Sequence, residues 1–217
     1  MRGVEGFFAL RSGPPPDGSA RPLAELYAGA AGPLRSRLAL VGARLGAPEP
    51  RVAASIAYLG LAARLWSITL APCVRGEPPP DLSPALLRWD PSHSTPDDLW
   101  LTPAAPVPPP ADPVTHLRAT VLDAHLVPLL AATRAEVRVS ARLLWGNAAS
   151  ALAGALIQLG RPARAETWVA DLLAAPPLAG TGQLGPGGFR RSTCCLYYRA
   201  PGGSVCGDCC FTTPPRR

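Results

Sequence analysis

The chain has 217 residues, enough to bury one substantial core, or one core with a small appendage. Hydrophobic residues make up 47% and charged residues 17%, a globular composition with a lightly charged surface. The net charge of +6 comes from arginine alone, and no basic stripe with interleaved aromatics accompanies it, so the excess is read as composition and nucleic acid is excluded as a partner.

The 28 prolines fall in clusters and mark breaks between folded pieces. Residues 1–20 read as a loose lead-in, with Gly13-Pro14-Pro15-Pro16-Asp17-Gly18 as a breaker cluster. The apolar run before it is too short for a secretory signal and carries Glu5. Two short helices are predicted over 22–31 and 33–45, with Pro22 and Pro33 in their first turns. Residues 50–71 form the most apolar run. Its length alone would allow a membrane span. Arg64 and the weakly hydrophobic alanines point instead to a buried helix around which others pack, ended by Pro72. Cys73 reads as a small apolar filler.

Residues 76–113 form a proline-rich connector. Within it, 86–90 and 98–102 are predicted as two short strands around the turn-like loop 91–96, and 103–113 as extended, semi-rigid chain. Asp112-Pro113 starts a helix, an N-cap followed by a first-turn proline. Val114, Leu117, Val121, Ala124 and Leu129 follow near helical spacing, and Pro128 is expected to kink or end this piece. His116 and His125 do not share a helical face, so they read as ordinary surface or half-buried histidines and not as metal ligands.

Over 134–159, apolar residues from Val137 and Ala141 through Leu144, Ala148, Leu152 and Leu156 repeat at three and four. They predict one amphipathic helix, stopped by Gly160 and Pro162. Arg134, Arg138 and Arg142 would form a ridge on it. A solvated face is the simpler reading of that ridge; a contact for an anionic ligand or for the C-terminal segment is the other. Gly146 and Asn147 are poor helix formers, so their place mid-helix implies close packing or a polar contact. A last helix is predicted over 162–175. Gly180 to Gly188 reads as a flexible linker, and lacks the Gly-Lys-Ser/Thr of a phosphate loop.

Five of the six cysteines lie in the last 28 residues, as Cys194-Cys195, a ten-residue spacer, then Cys206-Gly207-Asp208-Cys209 and Cys210. In the spacer, Leu196-Tyr197-Tyr198 favours strand, and Pro201-Gly202 occupies the centre of a type II turn. A short β-hairpin is therefore expected, with Cys194 opposite Cys209 and Tyr197 opposite Cys206. It would bring four thiols to one end. Three chemistries are open to them. Disulfides need an oxidising compartment. Structural zinc usually takes two separated Cys-x-x-Cys or Cys/His knuckles, whereas here the first pair is adjacent and no histidine is near. Iron–sulfur ligation needs four cysteines, although the spacing is neither of the common ferredoxin patterns.

The segment from Cys194 to Cys209 resembles the C-terminal cluster motif of the FhuF-type ferric-siderophore reductases, over about an eighth of the chain. Arg142-Leu-Leu-Trp145-Gly146-Asn147 is a weaker likeness to the same family. The resemblance implies that Cys194, Cys195, Cys206 and Cys209 ligate a 2Fe–2S cluster. Cys210 departs from the pattern, which usually has an apolar residue after the last ligand. Further implications are an oxidoreductase that reduces a ferric siderophore by one electron, releases Fe(II) and serves iron acquisition. No nucleotide or flavin motif is visible, so a separate electron-donor protein is expected. Arg190, Arg191 and Arg199 would offset the cluster's negative charge and meet a partner or chelate, while Arg216 and Arg217 read as a solvated terminus. No catalytic residue beyond the cluster is identified.

The expected architecture is mainly α: a helical body over 1–183, including the connector at about 76–113, and a cysteine-rich iron–sulfur segment over 184–217. A cytoplasmic place follows from the missing secretory signal, with at most peripheral membrane association. A non-enzymatic iron–sulfur electron carrier or assembly partner, and a zinc-stabilised helical binding module, are the alternatives.

Overall fold

The computed structural model describes residues 4–13, 15, 18–105 and 107–215. The readings for Arg216 and Arg217, and for Pro14, Pro16 and Asp17 of the breaker cluster, lie outside these residues.

The fold is mainly α, as expected, and is built around one helix. Helix α1 (Val4–Phe8), strands β1 (Arg11–Ser12) and β2 (Arg21–Pro22), and helices α2 (Leu23–Tyr27) and α3 (Gly32–Leu45) lead into α4 (Pro50–Arg75). Val52, Ala54, Tyr58, Ala62, Leu65, Trp66 and Leu70 of α4 are all buried, because α1, α3 and later helices pack around it. By length and composition α4 is the one helix among the described residues able to cross a membrane, and 72% of its apolar window lies inside the fold. It is a core helix. Pro72 does not end it. A proline costs one N–H bond, here the one to the Ile68 carbonyl, but Leu70, Ala71 and Cys73 remain packed in the core. The helix therefore runs on to Arg75.

Arg64 changes the picture of the lead-in. Its side chain is 1% exposed and Nε meets the Asp98 carboxylate at 3.0 Å. Its other nitrogens donate to the carbonyls of Gly6, Phe7 and Ala9. Residues 6–9 are thus tied to α4 and not loose. Strand β1 continues from them into a four-stranded sheet of order β1-β4-β3-β2. Its centre is the predicted pair, β3 (Leu87–Trp89) and β4 (Leu99–Leu101), antiparallel with Arg88 opposite Trp100. The two-residue flanking strands were too short to show in the sequence.

Asp112 caps α5 (Pro113–Leu117), accepting the Val114 N–H at 3.0 Å. The chain then takes a π-helical stretch, Arg118–Leu126, before α6 (Val127–Glu136). Pro128 sits in the first turn of α6, where its missing N–H is least costly, so the helix continues through it. His125 is fully buried, with Nε2 2.6 Å from the Leu82 carbonyl and Nδ1 3.0 Å from the Tyr27 hydroxyl.

The single helix predicted over 134–159 is two. Helix α6 stops at Glu136, Val137 turns extended (φ −140°, ψ 134°), and α7 (Ala141–Gln158) starts after Ser140. The β-branched Val137 and Val139 and a serine at the N-cap position favour that break. Arg134, Arg138 and Arg142 fall on three different pieces and form no ridge. Helix α7 lies along α4. Ala148, Ala149, Ala151 and Ala155 keep the two backbones close, and Trp66 Nε1 donates to the Ala148 carbonyl at 3.1 Å. Helix α8 (Ala163–Ala174) packs beside α7.

The run expected as a flexible linker is a β-hairpin. Strand β5 (Gly182–Gly185) pairs antiparallel with β6 (Gly188–Arg191), Leu184 opposite Phe189. Phe189 is buried in the core cluster, and β6 packs on α7. That apolar anchor gives a glycine-rich stretch a fixed place.

Candidate metal centre

Strand β6 delivers the chain to the cysteines. Its last residue, Arg191, donates its backbone N–H to the Asp208 carbonyl at 2.9 Å, which draws the Cys206–Cys210 turn alongside. The expected hairpin across the spacer does not form. Its turn does: the Gly203 N–H reaches the Ala200 carbonyl at 2.9 Å, and Gly202 takes φ 71° as a type II turn requires. The flanks are not strands. Leu196 adopts φ 68° and Tyr197–Arg199 is a 3-10 turn. The backbone donors of this stretch are engaged elsewhere, because the Leu196 N–H points at Cys194 Sγ, 3.2 Å away, and the Tyr197 N–H bonds the Cys195 sulfur.

The sulfurs gather all the same. Cys195 and Cys206 have Sγ atoms 3.6 Å apart. Those of Cys194, Cys209 and Cys210 lie within 4.8 Å of one another. The Phe211 N–H approaches Cys209 Sγ at 3.4 Å. Cys194, Cys195 and Cys209 therefore each receive an N–H from two residues downstream, an arrangement that stabilises a thiolate. Hydrogen bonding with Cys206 lowers the Cys195 thiol, helped by the Tyr197 N–H and the Arg191 charge against the opposing effect of burial. The same contact, with burial, raises Cys206. Burial pushes Cys194 up to about 11.

Two body helices hold this segment. Ser55 of α4 donates its hydroxyl to the Cys195 carbonyl at 2.6 Å. Asn147 of α7 is fully buried and donates Nδ2 to the Ser55 carbonyl and hydroxyl at 2.8 and 2.9 Å. Its Oδ1 accepts from Arg191 Nη2. A Cβ on Gly146 would overlap Thr193 Oγ1, so only glycine lets β6 and the cysteines lie this close to α7. The two residues that looked out of place in a helix thus make the expected close approach and polar contact. Ser55 carried no sequence signal. Nothing around it in the apolar run marks it as different from Ser67.

The segment's three described arginines part company. Arg191 is 3% exposed and turned inward. Arg190 is exposed, with Nη2 3.3 Å from the Cys210 carbonyl. Arg199 pairs with Glu49 at the start of α4 and lies over the Tyr198 ring. Cys73 is buried among apolar side chains, away from the site. An open groove of about 300 Å³ borders the cysteine turn, between Gly154 and Ile157 of α7, Gly188 and Phe189 of β6, and Asp208.

Residues 88–192 match the family described as ferric iron reductase FhuF-like transporter, and residues 191–211 match the FhuF 2Fe-2S C-terminal domain. Together the two run unbroken over more than half of the chain. The chain belongs to the FhuF-like family. Among curated proteins, none matches it. As an FhuF-like protein it is an iron–sulfur, ferric-reductase-like chain whose C-terminal segment is a 2Fe–2S domain. The donor set fits that group. Two thiolates on one tetrahedral metal with ~2.3 Å metal–sulfur bonds stand ~3.8 Å apart. The 3.6 Å between Cys195 and Cys206 is that separation. A second set of sulfurs is close by around Cys194 and Cys209.

Proposed function

We propose that Cys194, Cys195, Cys206 and Cys209 hold the 2Fe–2S cluster and that the protein is a one-electron reductase of ferric siderophores, acting in the cytoplasm. The observation that carries the ligand choice is the gathering of the sulfurs: Cys195 and Cys206 stand 3.6 Å apart, and Cys194 and Cys209 each accept an N–H from two residues downstream. When bound, the cluster supplies a site that gains and loses single electrons. Residues 184–217 carry it, and residues 1–183 are the body against which it is braced.

A single electron suits this task. A siderophore's hard oxygen donors hold Fe(III) far more tightly than Fe(II), so one electron turns a tight chelate into a labile one. The electron comes from a separate donor protein. It leaves on the chelated Fe(III), which departs as Fe(II). No proton-transfer residue is needed. The groove beside Asp208, with its glycines, is the concave surface that borders the Cys206–Cys209 turn, where a chelate can approach. Arg190 stands exposed on the same segment, where it meets an anionic chelate or an acidic donor.

The test is a stopped-flow absorbance experiment on anaerobically reduced protein, mixed with a ferric hydroxamate and an Fe(II)-specific dye. Rapid return of the oxidised spectrum, with about one Fe(II) trapped per chain, is expected. A cluster that stays reduced in the presence of every ferric chelate class tried would make the protein an electron carrier. A colourless protein with about one zinc would remove the redox reading altogether.

A further inference from the structure

Arg191 is a buried cation with no anion. Its side chain is held by neutral groups: Nη2 donates to Asn147 Oδ1 and Nε to the Thr193 carbonyl at 3.2 Å. Nη1 has no partner, and neither does Thr193 Oγ1 beside it; these are two of the three buried side-chain polar atoms left unsatisfied among the described residues. No carboxylate pairs with Arg191 among the described ion pairs. This is not an accident of a loose side chain. The hydrogen bonds run in one sense from Arg191 to Asn147, Asn147 to Ser55, and Ser55 to the Cys195 carbonyl, and every group in that chain has its orientation fixed.

An unpaired buried charge is costly unless something absent from the polypeptide balances it. The four-thiolate cluster is the fitting balance, since its net charge is about −2 when oxidised and one more negative when reduced. Among the segment's arginines, Arg190 is exposed and Arg199 is already paired with Glu49, so their charges are screened or spent. Arg191 is neither. Its charge is also felt at Cys195 and at Cys210. We propose that Arg191 is the buried counter-charge of the cluster, held in place by Asn147 and Ser55, and that it raises the reduction potential and so makes this chain able to accept an electron from its donor. This rests on the iron–sulfur reading of the site. Arg191 acts through the cluster and is a positioning and charge-setting residue.

The sign follows from charge. A fixed cation favours the more negative, reduced form, so losing it favours the oxidised form. The experiment compares wild type, Arg191→Gln and Arg191→Lys. It uses redox titration monitored by visible absorption, iron and sulfide content, and thermal unfolding of the metal-free chains. Arg191→Gln is expected to shift the oxidised-to-reduced ratio at a fixed donor potential by about tenfold or more, which is ~59 mV for one electron. Arg191→Lys is expected to stay near wild type. Metal-free Arg191→Gln should unfold at or above the wild-type temperature, because it no longer buries an unpaired charge. A folded Arg191→Gln that takes up no cluster, beside an Arg191→Lys that does, supports the proposal equally. An unchanged potential in Arg191→Gln overturns it. So does a metal-free Arg191→Gln that unfolds earlier than wild type or not cooperatively, since the residue is then a structural brace. Loss of the cluster from both variants also overturns it, because geometry and not charge would then be the requirement. A wild-type chain without iron and sulfide refutes the parent reading before any variant is made.

Discussion

Cys209 is buried and accepts the Phe211 N–H at 3.4 Å, whereas its neighbour Cys210 is half-buried and its sulfur meets its own backbone N–H. Both sulfurs lie within 4.8 Å of Cys194, so proximity alone does not separate them. Burial does, because it keeps solvent from a ligand. Cys209→Ser is therefore expected to lose most of its iron and sulfide and to bleach, while Cys210→Ser keeps about two of each per chain. Iron and sulfide analysis of the two variants checks this, and the reverse result would exchange the two roles. Much of the residue-level site was legible in the sequence. The cysteine spacing marked the sulfurs that the fold gathers, and Gly146 and Asn147 stood out as misfits in a helix. Arg191 was legible only as one of three arginines. Its burial depends on β6 packing against α7, which no local pattern encodes.

At the scale of elements, the sequence was clearest where one period ran unbroken, as in α4, and where a turn had its own chemistry, as at Pro201-Gly202. It was least clear where backbone donors had competing uses. Leu196-Tyr197-Tyr198 has strand propensity, yet its N–H groups serve sulfur, and a ladder cannot form with them. The glycine-rich stretch before it has little propensity for anything and becomes a hairpin through Phe189. The π-helical stretch before α6 is another case of tertiary packing deciding the element. It turns His125 into the core, between Tyr27 and Leu82, where it is fully buried, although the sequence read it as a surface or half-buried histidine. Burial lowers its pKa to about 4, although the hydrogen bond to the Leu82 carbonyl opposes the shift. The unfolded chain then binds a proton that the native chain refuses between pH ~6.5 and ~4. Stability is fully present above the upper bound and falls as pH drops through the window, by ~3 kcal/mol in all from this residue. Urea unfolding at pH 7 and at pH 4.5 should show that loss in wild type and a much smaller one in His125→Gln. Equal losses in the two proteins would place the acid sensitivity in other groups.

Seen whole, the molecule has two polar joints on α4, one near its start and one near its middle, and they do different work. The joint at Ser55 braces the cysteine segment. The joint at Arg64 ties together α4, the N-terminal carbonyls of Gly6, Phe7 and Ala9, and the sheet through Asp98. The Arg64 charge is satisfied by protein groups inside the core, as suits a core helix. A buried pair of this kind adds little by existing, because desolvation consumes most of the attraction, but removing one partner strands the other. Asp98→Ala is expected to cost ~3 kcal/mol for that reason. Asp98→Asn should cost less, since an amide oxygen still accepts from Nε. The two joints share no residue and sit about two and a half helical turns apart on α4, so their effects should add. Asp98→Ala should therefore lower the thermal midpoint while leaving the visible spectrum and the reduction potential of the loaded protein unchanged. A shifted potential in that variant would mean that the sheet end and the cysteine end are coupled through α4, and that the body does more than hold the cluster in place.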